Sequence, residues 1–197
     1  MNSTVLETPR LRLREMTPGD LDFVATMLAH PEVNHFYERR FTRAESKEWL
    51  SRQLDRYRRD GHGLWLVLDR TTSEPVGQVG LCMQNVEGTR QPEIGWLLHR
   101  PYWGNGYATE AGAATRDAAF ARWHYDHVVS LIRPVNVASQ RVALRIGMTP
   151  GRLVQFHGYE HFVFGMEAGR GDEVEKWKSG KVEEVEKVSG KVEKWKS

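Results

Sequence analysis

The chain has 197 residues, enough for one domain with a buried core, and it carries 28 Lys and Arg against 26 Asp and Glu. This near balance gives no electrostatic reason to expect a nucleic acid or an acidic membrane surface as a partner. A single cysteine, Cys82, excludes an internal disulfide and a cysteine-based zinc cluster. The segment Met1 to Arg14 is polar, and no run of about 18 apolar residues occurs. We therefore expect a cytoplasmic protein that makes no use of a membrane.

The first third of the sequence predicts one strand and two helices. Residues Leu11 to Arg14 alternate between apolar and basic side chains, as in a strand. Thr17-Pro18-Gly19-Asp20 is typical of a helix start, and His30-Pro31 ends that helix. A second capping box, Thr42 to Glu45, opens a longer helix that ends near Gly61.

The middle of the chain predicts three consecutive strands and a helix. Leu64 to Leu68 and Pro75 to Cys82 are separated by polar turn residues and form a hairpin. We interpret Val86 to Pro92 as a loop and Glu93 to Leu98 as the third strand. From Thr109 to Trp123 the pattern is helical, and its alanines allow close packing on a sheet.

The next segments complete the predicted domain. His127 to Ile132 is a continuous apolar strand, typical of one buried on both faces. Asn136 is placed to cap a short helix that ends at Gly147. Val154 to Phe156 and Phe162 to Met166 form a closing hairpin.

The composition changes after Ala168. The sequence Ser-Gly-Lys-Val-Glu occurs at Ser179 to Glu183 and again at Ser189 to Glu193, and Lys, Glu and Val dominate. We therefore divide the chain into a domain, residues 1–168, and a low-complexity tail, residues 169–197, that we predict to be disordered and dispensable. A partner-binding role through Trp177 and Trp195 is the alternative.

A pair of glycines between the third strand and the long helix is typical of an anion-binding turn. Gly104 and Gly106 let a ligand approach the backbone closely, and the first turn of a helix leaves N–H groups unpaired. A phosphate is the expected guest, although the glycines alone are equally compatible with a simple tight turn.

Two common phosphate motifs do not fit this turn. A P-loop requires Lys followed by Ser or Thr after its last glycine, whereas Tyr107 and Ala108 follow Gly106. A dinucleotide fingerprint requires Gly or Ala in the third position, where this chain has Thr109, and an early βαβ unit.

The ordered set of motifs resembles the GNAT superfamily of N-acetyltransferases, and in particular its RimJ/RimL-type branch. The two main motifs are Tyr-Trp-Gly-Asn-Gly-Tyr-Ala-Thr-Glu-Ala, from Tyr102 to Ala111, and Asn-Val-Ala-Ser-Gln-Arg-Val, from Asn136 to Val142. Four shorter segments agree, namely Thr8 to Arg14, His30 to Val33, Glu93 to Trp96 and Arg145 to Met148.

This resemblance implies an α+β fold. Its bent, mostly antiparallel sheet would have about six or seven strands with helices on both faces. The strands before and after the helix at Thr109 would lie parallel and splayed, so that the backbone of one strand can pair with a ligand.

The resemblance also implies acetyl-coenzyme A as the co-substrate. Amides of the glycine turn would hold its pyrophosphate, the end of the preceding strand would pair with its pantetheine arm, and Arg100 could neutralise a phosphate. The superfamily often has Gln or Arg where this chain has Pro101, so no side-chain contact is expected from that position. The residues assigned to coenzyme binding are Leu97, Leu98, His99, Arg100, Trp103, Gly104, Asn105, Gly106, Tyr107, Ala108, Thr109, Asn136 and Ser139.

The catalytic groups are less constrained by the resemblance. Many superfamily members carry a tyrosine acid at the position of Ala143, so Ser139, a water or no acid at all would serve the departing thiolate. The acceptor amine needs a base, and the candidates are Glu93, Glu160, His157 and His161. Each of these also has an ordinary structural interpretation.

The acceptor is expected to be an amine, either a peptide N-terminus or a small molecule. The plausible pocket residues are His35, Phe36, Tyr37 and Trp65, although isolated aromatic residues are more often part of a core. The histidines are scattered, so we expect no metal site. A homodimer is left open.

We therefore predict an acetyl-coenzyme A-dependent N-acetyltransferase that acts by direct attack in a ternary complex. Two alternatives remain open at the level of sequence. One is a catalytically silent module that senses acyl-coenzyme A, and the other is a protein of different fold that binds another phosphate ligand.

Overall fold

The computed structural model describes residues 4–37 and 41–169. The predicted disordered tail lies outside the described residues, apart from Gly169. Within the described part, no helix is both long and apolar enough to cross a membrane.

Residues 4–37 and 41–169 form a single eight-stranded sheet flanked by four α-helices. The elements are β1 (Thr4–Glu7), β2 (Leu11–Arg14), α1 (Leu21–Ala29), α2 (Arg43–Asp60), β3 (Leu64–Asp69), β4 (Pro75–Val86), β5 (Thr89–Leu98), α3 (Tyr107–Ala121), β6 (His127–Ile132), α4 (Val137–Arg145), β7 (Thr149–Phe156) and β8 (Tyr159–Glu167). The strand order is β1-β2-β3-β4-β5-β6-β8-β7, and every pair is antiparallel except β5 and β6. The predicted α+β class and mostly antiparallel sheet are confirmed, with one or two strands more than expected. The strand that the sequence did not predict, β1, has four residues and pairs with β2.

The helix boundaries follow the capping residues in the sequence. Thr42 accepts a hydrogen bond from the Glu45 backbone N–H, while the Glu45 carboxylate accepts one from the Thr42 N–H at 2.8 Å. Two of the unpaired N–H groups at the start of α2 are therefore satisfied. Gly61 ends α2 with φ of 73°, a conformation that glycine adopts without a steric penalty. Both capping boxes predicted from sequence are present.

The predicted loop from Val86 to Pro92 is wrong. Strands β4 and β5 continue in register to the pair Val86 and Thr89, and only Glu87 and Gly88 form the turn. Both turn residues have positive φ, 49° and 85°, which is the geometry of a two-residue hairpin turn of type I′. This end of the hairpin faces solvent, so polar residues lie on both sides of the turn. In the sequence such a run of polar residues has the pattern of a loop.

Two apolar clusters cover the two faces of the sheet. Alternate residues of each strand point to opposite faces, so Ile94 packs beneath α3 and α4 while Leu97 packs beneath α1 and α2. We call these the α3/α4 face and the α1/α2 face. Trp65 lies on the α3/α4 face with no exposed surface and stacks on Trp123, with ring centroids 5.5 Å apart. The suggestion that Trp65 lines an acceptor pocket is therefore corrected, because its ring is part of the core.

Candidate functional site

The two parallel strands separate where their backbone groups are taken by side chains. Strands β5 and β6 share one register pair, Glu93 opposite Val129. Beyond it the Ser130 hydroxyl donates to the Ile94 carbonyl at 2.7 Å, and the Leu131 backbone N–H donates to the Glu93 carboxylate at 3.2 Å. These side-chain bonds replace ladder bonds, so the strands part toward the end of β5. We call this opening the fork, and the predicted splay is confirmed.

Strand alternation decides which backbone groups of β5 face the fork. The His99 N–H donates to the Val76 carbonyl at 3.0 Å, so His99 and, two residues before it, Leu97 direct their backbone groups toward β4. Trp96 and Leu98 therefore direct theirs toward the fork. The suggestion that Leu97 and His99 offer amides to a pantetheine arm is corrected, because those amides belong to the β4–β5 ladder.

The His99 side chain also points away from the fork. Its ring lies 5.9 Å from the ring of Phe23 and 6.2 Å from that of His30, measured between centroids, on the side of α1. Burial, together with the nearby His30, lowers the pKa of His99. This histidine supports the packing of α1 against the end of β5.

The glycine turn has the open backbone expected of an anion site. Gly104 and Gly106 have φ of 82° and 78°, and α3 begins at Tyr107. A Cβ built on Gly104 would meet no protein atom within 4 Å, and one on Gly106 would meet only Arg10, at 3.5 Å. The space in front of the turn is therefore open, and the helix N-terminus favours negative charge there.

Arg10 forms hydrogen bonds that hold this turn in place, and the sequence did not predict this role of Arg10. Its Nη1 donates to the Asn105 carbonyl at 3.0 Å, and its Nε and Nη2 contact the Glu110 carboxylate, each at 2.6 Å. Its guanidinium carbon lies 4.8 Å from the centroid of the Tyr107 ring. Since Arg10 lies about a hundred positions from the turn in sequence, no local pattern could reveal this contact.

Arg100, the cation expected to meet a phosphate, is already partnered. Its Nε donates to Glu32 at 2.7 Å, and its guanidinium lies 5.0 Å from the Trp103 ring centroid. The ion pair is exposed, so it contributes little to stability and an anion can compete for the arginine. The Trp103 indole N–H donates to the Leu98 carbonyl at 2.8 Å, which holds the turn against the end of β5.

The start of α4 faces the fork from the other strand. Asn136 caps the helix by accepting a hydrogen bond from the Ser139 N–H at 3.1 Å, as the sequence predicted. The Ser139 hydroxyl in turn accepts a hydrogen bond from the Trp96 indole N–H at 3.2 Å. Because Trp96 lies on β5, this bond bridges the two sides of the fork. Ala143 is fully buried, and its methyl side chain offers no hydroxyl at that position.

Glu93 places a carboxylate at the narrow end of the fork, on the α1/α2 face. One oxygen accepts a hydrogen bond from Gln84 at 2.7 Å and the other from the Leu131 N–H. Burial raises the pKa of Glu93, and these hydrogen bonds offset only part of that effect. A carboxylate with a raised pKa has the properties of a general base near neutral pH.

The other base candidates lie on the closing hairpin. His157 is exposed in the turn with φ of 50°, and Glu160 is exposed on β8. Glu160 alternates with Phe162 and Phe164, which places it on the α3/α4 face, opposite to Glu93. His161 alternates with Glu160, so it lies on the same face of the sheet as Glu93, against the ring of Phe156. Burial lowers the pKa of His161. The geometry favours Glu93 over Glu160.

A bridge on the α1/α2 face connects the segment after α1 to the hairpin. The Nη1 of Arg133 donates to the Phe36 carbonyl at 2.9 Å, and the guanidinium lies 4.2 Å from the Tyr159 ring centroid. His35 is exposed and its ring lies 5.1 Å from that of Phe36. Two of the four suggested pocket residues, His35 and Phe36, thus lie near the hairpin, while the side chain of Tyr37 lies outside the described residues.

Across residues 4–37 and 41–169, no three His, Cys, Asp or Glu side chains form a group that could hold a metal ion.

A family model described as an acetyltransferase (GNAT) domain matches residues 10–149, which include the fork, the glycine turn and α4. The chain belongs to the GNAT acetyltransferase family. Among curated proteins, this GNAT chain is 36% identical over 146 residues to the uncharacterized protein YkkB of Bacillus subtilis, covering 74% of this chain and 85% of that one.

Solved structures agree with this assignment. An acetyltransferase from Agrobacterium tumefaciens is 29% identical, with a TM-score of 0.73 over 82% of this chain and 93% of that one. RimL, a ribosomal L7/L12 alpha-N-protein acetyltransferase in complex with coenzyme A, is 14% identical, with a TM-score of 0.69 over 84% and 98%. At this identity, the RimL comparison supports the shared fold alone.

Proposed function

We propose that this GNAT protein transfers the acetyl group of acetyl-coenzyme A to a primary amine by direct attack in a ternary complex. The acceptor is a protein N-terminus or a small amine. The observation that carries the proposal is the fork, which has an open glycine turn beyond the end of β5 and the Glu93 carboxylate at its narrow end. One opening thus combines a place for a phosphate-bearing donor with a base for the acceptor.

The residues around the fork fit acetyl-coenzyme A, which supplies an activated thioester. The backbone N–H groups from Trp103 to Thr109 would hold its pyrophosphate at the start of α3. The backbone of Trp96 and Leu98 faces the fork and would pair with the pantetheine arm as an added strand does. Asn136 and Ser139 would line the opposite side.

Glu93 would accept a proton from the incoming amine, directly or through water. An α-amine has a pKa of about 7.7–8.0 and a lysine-like amine about 10.4, so at neutral pH both are largely protonated. A carboxylate with a raised pKa lowers the cost of removing that proton. Phe36 and the hairpin residues Tyr159 and His161 lie on the face of Glu93, where the amine would approach.

Direct attack is favoured because the lone cysteine is unsuited to carry an acetyl group. Cys82 lies opposite Glu93 in the β4–β5 ladder and is therefore close to the site, although it is far from the glycine turn in sequence. It is nevertheless 3% exposed, and burial raises the pKa of its thiol to about 12. A buried, protonated thiol is a poor nucleophile.

Ser139 would assist the departing thiolate. Its hydroxyl oxygen accepts a hydrogen bond from Trp96, so its own proton is free to be donated elsewhere. The thiol of coenzyme A resembles that of cysteine, with a pKa of about 8.5, so assistance need only be modest.

The proposal is tested by following thiol release from acetyl-coenzyme A with and without amines. Peptides with a free N-terminus are the first acceptors to try, because RimL, which has the same fold, is named as an alpha-N-protein acetyltransferase. We expect amine-dependent thiol release and intersecting initial-velocity lines, as a ternary complex requires. Tight binding of acetyl-coenzyme A without thiol release in the presence of any amine would instead identify a binding module. The absence of a tyrosine acid at the position of Ala143 is compatible with that outcome.

A further inference from the structure

The carbonyl of Asn105, between the two glycines of the turn, faces the guanidinium of Arg10. Arg10 donates to it from Nη1 at 3.0 Å, and Asn105 also donates from its side chain to the Tyr102 carbonyl at 3.2 Å. In a trans peptide group the C=O and the following N–H point in opposite directions, and no peptide bond in the described chain is cis. The Gly106 N–H therefore points away from Arg10.

Arg10 is itself fixed by Glu110, in the first turn of α3. The Glu110 carboxylate accepts hydrogen bonds from the Arg10 Nε at 2.6 Å, from the Arg10 backbone N–H at 3.0 Å and from the Thr8 hydroxyl at 2.6 Å. These bonds outweigh the effect of burial and lower the pKa of Glu110. The carboxylate is therefore ionised at neutral pH and holds the guanidinium in one orientation.

The aromatic neighbour of Arg10 is also held. The Arg10 guanidinium lies over the ring of Tyr107. The Tyr107 hydroxyl donates to the Asp69 carboxylate at 2.8 Å, which fixes the ring. Arg10 thus contacts the turn at Asn105, the first residue of α3 at Tyr107 and, through Glu110, the end of the first turn of that helix. Its three contacts join the start of β2 to both sides of the Gly106 N–H.

We propose that Arg10 is a positioning residue for the donor, which acts from behind the turn to aim the Gly106 N–H at the pyrophosphate of coenzyme A. The charged hydrogen bond to Asn105 also polarises the same peptide group, which strengthens the N–H as a donor. This inference rests on the proposed function, because it takes coenzyme A as the ligand. It assigns Arg10 a role that requires no direct contact with substrate.

A purely structural role is the competing explanation, because Arg10 also docks the N-terminal segment onto α3. Arg70 provides a matched control. It donates from Nη1 to the Thr8 carbonyl at 2.7 Å, so it anchors the same N-terminal segment without touching the turn. Loss of either arginine weakens the docking, but only loss of Arg10 releases Asn105.

The test compares Arg10→Ala, Arg10→Lys, Glu110→Gln and Arg70→Ala in the full chain. Calorimetric titration with coenzyme A should show an affinity loss of about tenfold or more for Arg10→Ala, the scale expected for one charged hydrogen bond. Arg10→Lys should keep part of the affinity, Glu110→Gln should lose part of it, and Arg70→Ala should bind as the parent does. Acetyl-pantetheine, which has no phosphate, should be used by Arg10→Ala and the parent with the same kcat/KM.

Amide hydrogen exchange without ligand supplies a second readout. Exchange over residues 104–107 should accelerate in Arg10→Ala and stay unchanged in Arg70→Ala. Equal coenzyme A affinity in Arg10→Ala and the parent would overturn the inference. So would a loss of kcat/KM in Arg10→Ala that is as large with acetyl-pantetheine as with acetyl-coenzyme A. If the parent itself fails to bind coenzyme A, the proposed function fails instead, and unchanged exchange in Arg10→Ala would still overturn the positioning role.

Discussion

The Glu93 carboxylate accepts a hydrogen bond from the Leu131 backbone N–H, across the point where β5 and β6 separate. Leu131 lies two residues beyond Val129, the partner of Glu93 in the sheet. A side chain thus takes the N–H that a continuing ladder would have used. The same residue that ends strand pairing presents the proposed base to the fork, so the shape of the site and its acid–base chemistry share one cause.

Glu93→Gln should abolish most activity while preserving the fold. The amide oxygen of a glutamine can still accept from the Leu131 N–H, and its NH2 group can donate to the oxygen of Gln84 once that amide turns over. Glutamine cannot accept a proton, so we expect kcat to fall by about 100-fold, near the low end of general-base effects. The acid limb of the parent's kcat/KM profile should lie above the ordinary glutamate pKa, because burial raises the pKa of Glu93. The variant should lose that limb in the same pH series.

The stability of this variant provides an independent check with a defined sign. A raised pKa in the folded protein means that protonation favours folding, so this contribution is present at low pH and is lost as pH rises through the folded pKa. Above that pKa the ionised carboxylate of Glu93 disfavours folding, so Glu93→Gln should melt there at the same or a higher temperature. Glu160→Gln, on the exposed hairpin, serves as the control and should change neither property. A similar kcat loss in Glu160→Gln would contradict the assignment.

Gly104→Ala and Gly106→Ala should weaken donor binding beyond their effect on stability. Each would force a Cβ into a left-handed conformation, at a cost of about 1–2 kcal/mol. Gly88→Ala is a matched control, because Gly88 has φ of 85°, open space around it and a location in the remote β4–β5 turn. All three variants should lose similar stability in denaturant titrations. Only the two turn variants should raise KM for acetyl-coenzyme A; an equal KM increase in Gly88→Ala would show a global effect.

Ser139→Ala should lower kcat modestly and in a pH-dependent way. If the hydroxyl protonates the departing thiolate, its loss should cost about tenfold at neutral pH and less as pH rises past the thiol pKa of about 8.5. Trp96→Phe removes the indole N–H that orients this hydroxyl and should show a smaller effect of the same kind. A pH-independent loss in Ser139→Ala would indicate a role in binding instead.

Truncation after Gly169 should leave kcat/KM and the melting temperature unchanged. The eight strands and four helices are complete within residues 4–37 and 41–169, and β8 ends at Glu167. The measurement compares the truncated and full-length chains under the same conditions. Loss of activity or solubility would assign a function to the segment with Trp177 and Trp195.

The sequence predicted those features that depend on local chemistry. Capping residues such as Thr42 and Asn136 determine helix starts within a few positions, and periodicity located most strands. The motif order also indicated the fork, because a parallel pair must flank α3. The short strand β1 was missed because its four residues, with Val5 and Leu6 adjacent, show no alternation. The extent of the β4–β5 hairpin was missed because polar residues flank its turn.

The errors at the site arise from contacts between distant residues. His99 and Leu97 lie shortly before the glycine turn in sequence, yet the register with β4 turns their amides away from the fork. Arg10 was missed because it reaches Asn105 from the other end of the domain. Strand register and packing of distant segments decide which neighbours in sequence become neighbours in the site.

The most direct test of the account is to trace the acetyl group itself. Acetyl-coenzyme A with a labelled acetyl group is incubated with the protein and either peptides with free N-termini or small amines, and the products are analysed by mass spectrometry. We predict that the parent places the label on the amine nitrogen, and that Glu93→Gln does so far more slowly while binding coenzyme A equally well. Labelled peptide formed equally fast by both proteins would contradict the role of Glu93, and no labelled product with any peptide or small amine would contradict the proposed function.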